Sequence, residues 1–297
     1  MAKGRTFAKS RTQAKKTART LWQRGNIAGL GTSRTYEDGL KLVSDWMRKN
    51  GGGALEQLSI KRARQYLAER ATQVSQSTLD RDRQAIQALL QHTGKLGSDQ
   101  TLKIIQAERQ QNLQPRAYTP EQVHAIRERL APHNALGLEI AQAGGLRTHE
   151  LFTLARRDEL TPDQRPADSE KFSARDDHSR YVVTGKGGLT REVSIPNELV
   201  ARLEAVRLDE PRTIRDRGIL YKQHYAVGGG QALSQAFSAA SKAVLGYSTG
   251  IHGVRHSYAQ QRHYEVQRLV GDPERTLRIV SQEMGHFRPE ITQVYLR

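Results

Sequence analysis

Apolar residues recur at helical spacing along most of the 297-residue chain, and this periodicity limits the possible folds more than any other feature. Tyr36, Leu40, Val43 and Met47 follow one another at i, i+4, i+7 and i+11, which is typical of one buried helix face. Ser59 is predicted to begin a second helix and Ser77 or Thr78 a third, and a fourth is expected over 101–111. The chain is therefore expected to be mainly α.

Alternation with a period of two is typical of strands, and it appears in Tyr181–Thr184 and Arg191–Ile195, on either side of Gly185–Gly188. Two such runs joined by a glycine-rich turn predict a β-hairpin. The predicted fold class is mainly α with a small β-hairpin or sheet (α+β). The helices expected in the second half lie near 120–130, 133–143, 147–155, 197–208, 231–245, 252–268, 273–283 and 289–295.

The chain carries a formal net charge of +16, and such a surplus indicates a polyanionic partner. No apolar run approaches the ~20 residues of a membrane-spanning helix, so nucleic acid is a better partner than a membrane. The lack of cysteine excludes disulfides, cysteine–zinc sites and thiol nucleophiles, and with no signal peptide it favours a reducing, cytoplasmic compartment.

Residues 1–25 contain basic side chains and no acidic one. We interpret this segment as an arm that binds DNA phosphates, and a solvated tail or a transit peptide are the alternatives. Further cations are expected on the outer face of the helical region. The residues predicted to contact DNA are Lys3, Arg5, Lys9, Arg11, Lys15, Lys16, Arg81 and Arg83.

A polar stretch around Pro115 predicts a domain boundary, because proline disfavours a helix before it. Thr119 followed by Pro120 matches a helix N-cap with proline at the first helical position. We therefore predict a basic arm at 1–30, a helical DNA-binding domain at 31–113, a linker at 114–118 and a second domain at 119–297.

The second domain contains six residues that could act on a phosphate. A tyrosine hydroxyl, with a free pKa of ~10, is a poor nucleophile unless bases and cations surround it. Taken singly, each candidate has an ordinary structural explanation, such as a surface ion pair, an exposed turn or a packing aromatic. Taken together, they indicate covalent attack on a phosphodiester. The candidates are Arg147, Lys186, His252, Arg255, His286 and Tyr295.

The order and spacing of these residues resemble the tyrosine recombinase, or phage integrase, family. Its pattern has an Arg box, a hairpin Lys, a His-x-x-Arg-His box, a Leu-Gly-His box and a Tyr nine residues after that His. The resemblance covers about residues 119–297, and by position the helical segment before it is similar to the family's core-binding domain. The matching motifs are Gly145-Leu-Arg147-Thr-His-Glu150, Thr184-Gly-Lys186, His252-Gly-Val-Arg255-His256, Met284-Gly-His286 and Thr292-Gln-Val-Tyr295.

The resemblance implies a role for each matched residue. Tyr295 would attack the scissile phosphate and form a 3′-phosphotyrosyl link, with His252 as proton acceptor. Arg147 and Arg255 would hold the non-bridging oxygens, and Glu150 would orient the active-site cations. His286 would donate a hydrogen bond to the phosphate, and Lys186 would protonate the leaving 5′ oxygen.

The resemblance also implies the setting of the reaction. The reaction would require neither ATP nor a metal. The partners of the protein would be double-stranded DNA, three further protomers and accessory DNA-bending or directionality factors. The protein would act in the bacterial cytoplasm, on the nucleoid. Met284 and Ser257 depart conservatively from the family's Leu and Thr. Many members carry a further helix after the Tyr, and this sequence stops at Arg297, which leaves subunit coupling open.

Three other functions are compatible with parts of the sequence. A non-catalytic DNA-binding protein could retain the fold, and a type IB topoisomerase would share the tyrosine chemistry. A metal-dependent nuclease would need ligands from the polar loop 161–180, where the spacing of acids matches no metal motif. Its candidate ligands are Asp163, Asp168, Asp176 and Asp177.

Overall fold

A computed structural model of the chain describes residues 7–27, 29–109, 113–286 and 288–297, and the backbone alone of Lys186. The chain divides into two compact units, residues 1–112 and residues 113–297, which we call the N-terminal and C-terminal units. The predicted fold class is confirmed: the described residues are mostly helical, with two small antiparallel sheets. None of the described helices is long and apolar enough to span a membrane.

Four helices build the N-terminal unit around one apolar core. Leu40, Val43 and Met47 form the buried stripe that their spacing predicts, and they are at most 1% exposed. The helices are α1 (Ser10–Gln23), α2 (Leu30–Lys49), α3 (Ile60–Ala71) and α4 (Gln76–His92), with a 3-10 turn at Leu55–Gln57.

The described part of the predicted arm forms α1 and packs on α2. Ala14, Ala18 and Leu21 recur at i, i+4 and i+7 and are at most 1% exposed, so this basic segment has an apolar face of its own. The cations predicted to contact DNA that lie among the described residues, Lys9, Arg11, Lys15 and Lys16, are exposed. Lys3 and Arg5 lie outside the described residues.

The predicted helix starts are partly right. The Ser59 side chain accepts a hydrogen bond from the Arg62 N–H, as an N-cap does. Helix α4 begins at Gln76, one or two residues earlier than Ser77 or Thr78.

The predicted fourth helix is wrong over 101–109, and the rest of it lies outside the described residues. Side chains of α4 bind the backbone of this non-helical segment. The Gln87 side chain accepts from Leu102 N–H, and Arg83 donates to Leu102 O, at 3.0 and 3.2 Å. Arg83 is thus engaged within the unit, whereas Arg81 is exposed.

Seven helices and two hairpins form the described C-terminal unit. Thr119 caps α5 as predicted. Residues 147–155, predicted as a helix, contain only a 3-10 turn at Glu150–Phe152. The elements are α5 (Pro120–Arg127), α6 (Pro132–Ala143), β1 (His178–Thr184), β2 (Thr190–Pro196), α7 (Asn197–Glu204), β3 (Arg207–Asp216), β4 (Ile219–Tyr225), α8 (Gly230–Leu245), α9 (His252–Val270), α10 (Pro273–Glu283) and α11 (Pro289–Gln293).

The predicted linker residues 116–118 pack into the C-terminal unit. The Ser257 hydroxyl donates to Tyr118 O at 2.7 Å and accepts from Tyr118 N–H at 2.9 Å. Gly253 fits tightly here, since a Cβ on it would lie 2.2 Å from Arg116 O. The segment just before α5 is therefore fixed against the start of α9.

The β1–β2 hairpin is the one that the sequence predicts. Its register pairs Tyr181 with Val193 and Thr184 with Thr190. Val182, Val183, Val193 and Ile195 are fully buried, so the hairpin is part of the core. Ala155 forms a bridge to Val182 and ties the hairpin to the chain that follows Glu150.

The β3–β4 hairpin was not predicted, and a helix was expected as far as residue 208 where α7 ends at Glu204. Its turn is Arg217–Gly218, and both residues have positive φ, at 47° and 74°. Tyr225 and Gln223 are buried at the base of the hairpin, and most of its other side chains are exposed.

Candidate active site

Tyr295 lies just after α11, in a turn closed by its N–H on Thr292 O. Its side chain is only 8% exposed. The Gln260 amide on α9 donates to Tyr295 O and Arg297 O, at 3.3 and 2.8 Å. The predicted nucleophile is thus held against α9 of its own chain.

His252 and Arg255 begin α9 and lie one turn apart on one face. His252 Nε2 is 2.9 Å from the Tyr295 hydroxyl. The Arg255 guanidinium carbon lies 5.8 Å from the centre of the Tyr295 ring. One helix start therefore brings an imidazole and a guanidinium to the same phenol.

Arg255 is 1% exposed and holds two chain segments together. It donates to Gly145 O, ahead of Arg147, and to Met284 O, ahead of His286. Gly145 has φ of +59°, and a Cβ there would lie 2.5 Å from the Tyr258 ring, so this close approach requires glycine.

His286 lies between Arg255 and the turn that carries Tyr295. Arg255 Nη2 is 3.1 Å from His286 Nε2, and His286 Nδ1 is 3.0 Å from the Thr292 hydroxyl. Because the guanidinium can only donate, Nε2 accepts and the ring is neutral with its proton on Nδ1. The ring centres of His286 and Tyr295 are 4.9 Å apart.

Arg147 and Glu150 form the other side of the site. Glu150 is fully buried and accepts from Arg147 N–H and from Arg147 Nη1, each at 2.8 Å. The Arg147 side chain remains 24% exposed, so it is accessible to a ligand. The Glu139 carboxylate, twelve residues C-terminal to Arg127, pairs with Arg127 and Arg202 and not with Arg147.

Arg191 on β2 is a component that sequence reasoning missed. It is 2% exposed, donates to Glu150 at 2.8 Å and donates to Glu283 O at 2.7 Å. Gly285 packs on it, since a Cβ there would lie 2.5 Å from Arg191 Cδ. This arginine therefore links the β1–β2 hairpin to Glu150 and to the segment before His286.

Lys186 begins the 3-10 turn at the tip of the β1–β2 hairpin. Its backbone follows β1, which the bridge between Ala155 and Val182 holds in place, and Arg191 lies on the paired strand β2. A cleft of about 370 Å³ lies beside this tip, lined by Gly187, Gly188, Thr190 and His286 among others.

His256, which is part of a matching motif with no role assigned to it, also lies in the site. It is 2% exposed, and its ring centre lies 4.5 Å from that of Tyr295 and 5.7 Å from that of His252. The adjacency of His256 to Arg255 in sequence could have indicated it, whereas no local signal marks Arg191.

A second buried carboxylate, Glu283, fixes the end of α10. It is fully buried and accepts from Arg262 and from the Tyr258 hydroxyl, each at 2.9 Å, and from Phe172 N–H. Met284 and Gly285 follow directly. Glu283 therefore anchors the segment from which His286 projects.

The electrostatics of the site favour an anion. Burial raises the pKa of Glu150, but Arg191, Arg255 and Arg147 outweigh it and lower that pKa to about 2. Burial and neighbouring arginines lower the pKa of His252 to about 4 and that of His286 to about 3. At neutral pH, three guanidinium groups against one carboxylate leave an excess of two positive charges.

The loop acids proposed as metal ligands are engaged elsewhere or lie apart. Asp168 pairs with Arg275 at 2.8 Å, and Asp177 pairs with His178 at 2.7 Å. Among the described residues, no group of three or more His, Asp or Glu is arranged to hold a metal ion.

Residues 5–93 match the family described as phage integrase, N-terminal SAM-like domain. No curated protein sequence matches the chain. Among solved structures, the XerH site-specific recombinase bound to difH substrate has a TM-score of 0.58 at 16% identity, covering 97% of this chain and 81% of that chain.

Two other structures are similar over nearly the whole chain. The Tn1549 transposon integrase in complex with transposon right end DNA has a TM-score of 0.57 at 14% identity, covering 96% of this chain and 94% of that one. A lambda integrase tetramer bound to a Holliday junction has a TM-score of 0.57 at 13% identity, covering 96% and 76%. The protein therefore has the tyrosine recombinase fold, and its residues 5–93 match the phage integrase N-terminal SAM-like domain.

Proposed function

We propose that the protein is a site-specific DNA recombinase that cleaves and rejoins DNA through a 3′-phosphotyrosyl intermediate, and so integrates or excises a mobile element. The observation that carries this proposal is the 2.9 Å contact between His252 Nε2 and the Tyr295 hydroxyl, beside the Arg255 guanidinium. A phenol needs this combination of base and cation to attack a phosphodiester.

In the proposed reaction, the Tyr295 oxygen bonds to phosphorus while the bond from phosphorus to the 5′ oxygen breaks. His252 accepts the phenolic proton, and Lys186 donates a proton to the leaving oxygen. His252 can accept because its lowered pKa keeps it neutral at pH 7. Attack by the 5′ hydroxyl of another strand reverses these transfers and releases Tyr295.

Arg147 and Arg255 would stabilise the two negative charges that develop on the pentavalent phosphorus. The excess of two positive charges in the site suits this state without a metal ion. Arriving phosphate offsets the arginine charges that depress the pKa values of His252 and His286. His286 Nε2 would then gain the proton with which it donates to the phosphate.

The partners follow from the same chemistry. Double-stranded DNA is the proposed substrate, which the exposed cations of α1, Arg81 and the net charge support. We assign DNA binding to residues 31–113 together with α1, and catalysis to 119–297. Exchange between two duplexes requires four protomers, and each Tyr295 would act in cis, on the pocket of its own chain. DNA-bending or directionality factors are further proposed partners.

The first test measures covalent DNA adducts. A duplex enriched from a random-sequence library by binding to Tyr295→Phe serves as the probe, with a single nick placed at successive positions. We expect an adduct that survives SDS in the presence of EDTA, with the DNA mapped to Tyr295 by mass spectrometry. Tyr295→Phe should bind the duplex and form no adduct.

The matched control is Tyr264→Phe, at a tyrosine that is 63% exposed on α9. It should form adducts at the rate of the unchanged protein. Binding without any adduct would instead support a non-catalytic DNA-binding protein, and relaxation of supercoils without strand exchange would support a type IB topoisomerase.

A further inference from the structure

The β3–β4 hairpin projects a ribbon next to the Arg147 segment, with five basic and three acidic side chains over 207–225. Tyr221 on β4 lies 5.6 Å from Phe152 and 6.4 Å from His149, between ring centres. At the tip, Asp216 accepts a hydrogen bond from Gln231 N–H at the start of α8. These contacts fix the ribbon on the stretch of chain that begins with Arg147.

The strand register defines two faces of this ribbon. Ile214 pairs with Tyr221, so these side chains lie on the inner face that meets Phe152. Thr213 pairs with Lys222, and Arg215 pairs with Leu220, so these four lie on the opposite face. We call that opposite face, with Arg217 at the turn, the outer face.

All five residues of the outer face are exposed, and Leu220 is 66% exposed. Three of them are basic, one carries a hydroxyl, one is apolar and none is acidic. The acid at the tip, Asp216, turns instead toward α8. The charge of the outer face is therefore complementary to a polyanion.

Arg217 adds an independent observation. It adopts a φ of +47°, a left-handed conformation that costs an arginine about 1–2 kcal/mol. Asn or Gly occupies such a turn position without this strain. A strained position that retains a long cationic side chain, on an exposed tip, indicates that the side chain serves a ligand.

We infer that the outer face of the β3–β4 ribbon enters the major groove of the DNA substrate beside the cleavage site. The major groove admits a two-stranded ribbon. Arg215, Arg217 and Lys222 have the length and charge to contact phosphates and guanine edges. Leu220 is placed among them, where it can contact a thymine methyl group. This inference rests on the proposed function for the DNA substrate and for the position of the cut.

The test measures DNA affinity in the Tyr295→Phe background, which separates binding from cleavage. The probe is the library-selected duplex, titrated by fluorescence anisotropy from 50 to 200 mM KCl. Arg215→Ala combined with Arg217→Ala should weaken binding about tenfold and reduce the slope of log affinity against log salt by about two. The charge-matched control, Lys242→Ala with Arg268→Ala on α8 and α9, should change the slope less.

A second variant separates a DNA contact from a structural role. Arg217→Asn relieves the turn, so the melting temperature should stay the same or rise while affinity falls. Dimethyl sulfate protection of guanine N7, which lies in the major groove, should be lost at one or more guanines.

Unchanged affinity and unchanged protection in both ribbon variants would overturn the inference. The inference would also be overturned if the variants changed self-association, measured by light scattering, while their DNA affinity stayed the same. The outer face would then bind protein. Failure of the proposed function has a different signature: the unchanged protein would form no adducts, whereas these binding measurements would still decide the role of the ribbon.

Discussion

The two hairpins of the C-terminal unit have the same topology and opposite environments. The β1–β2 hairpin buries Val182, Val183, Val193 and Ile195 completely, and its Arg191 reaches the centre of the site. The β3–β4 hairpin attaches through one face and leaves Leu220 66% exposed. A hairpin that is part of the core can fix the geometry of a site. A hairpin on the surface can accept substitutions on its outer face at little cost in stability.

Removing Arg191 should have the largest effect, because the fully buried Glu150 then loses one of its two ion-pair partners and keeps Arg147. We expect Arg191→Met to lower the free energy of unfolding by about 3–5 kcal/mol, as loss of one partner of a buried ion pair does. Urea denaturation measures this loss. Arg215→Met, the same change on the outer face of β3, should stay within about 0.5 kcal/mol.

A double variant sharpens this result. Glu150→Gln removes the stranded charge, so Arg191→Met with Glu150→Gln should be more stable than Arg191→Met alone. Similar losses for Arg191→Met and Arg215→Met would contradict the contrast between the two hairpins.

Acid should have the next largest effect, through the histidines of the site that the first hairpin closes. The pKa values of His252 and His286 are lowered to about 4 and about 3 in the fold, from about 6.5 in the unfolded chain. Between these values the unfolded chain binds more protons than the folded chain does. The contribution of the two histidines to the free energy of unfolding is therefore fully present above pH 6.5 and falls as the pH drops toward 4. We expect a loss of roughly 1–3 kcal/mol by pH 4.5, since both rings are partly solvated.

The measurement is urea denaturation at a series of pH values. His252→Gln with His286→Gln should make the curve less steep between pH 6.5 and 4.5, and His256, whose pKa is lowered to about 4, should account for part of the slope that remains. His124→Gln at an exposed position of α5 should leave the curve unchanged. An equally steep curve in the double variant would remove these two histidines as the cause.

The hairpins also explain which parts of the fold the sequence could predict. Alternation around Gly185–Gly188 indicated β1 and β2, because a hairpin in the core must alternate or be apolar throughout. Residues 207–216 contain mostly polar side chains, since a surface strand buries little, and only the run Ile219–Tyr225 could have indicated β4. In α1, the cations concealed the stripe of Ala14, Ala18 and Leu21.

The same reasoning applies to the site. Motif order indicated His252, Arg255, His286 and Tyr295 as candidates through fixed short spacings, and the fold brings these side chains together. Arg191 contacts Glu150 across 41 residues and Glu283 across 92, so no local pattern could indicate it. Long-range pairs of buried charges depend on tertiary structure, and single-sequence patterns do not contain them.

The smallest predicted effect comes from neighbouring residues on opposite faces of β4. Leu220→Ser should change the free energy of unfolding by no more than about 0.5 kcal/mol, because its side chain is already in solvent. Tyr221→Ser should cost about 1–1.5 kcal/mol, because it removes a half-buried ring that packs on Phe152. Thermal denaturation of the two variants compares the faces directly. Equal losses for Leu220→Ser and Tyr221→Ser would mean that protein covers the outer face. That result would remove the contrast between the two hairpins, and it would also remove the surface that we assign to DNA.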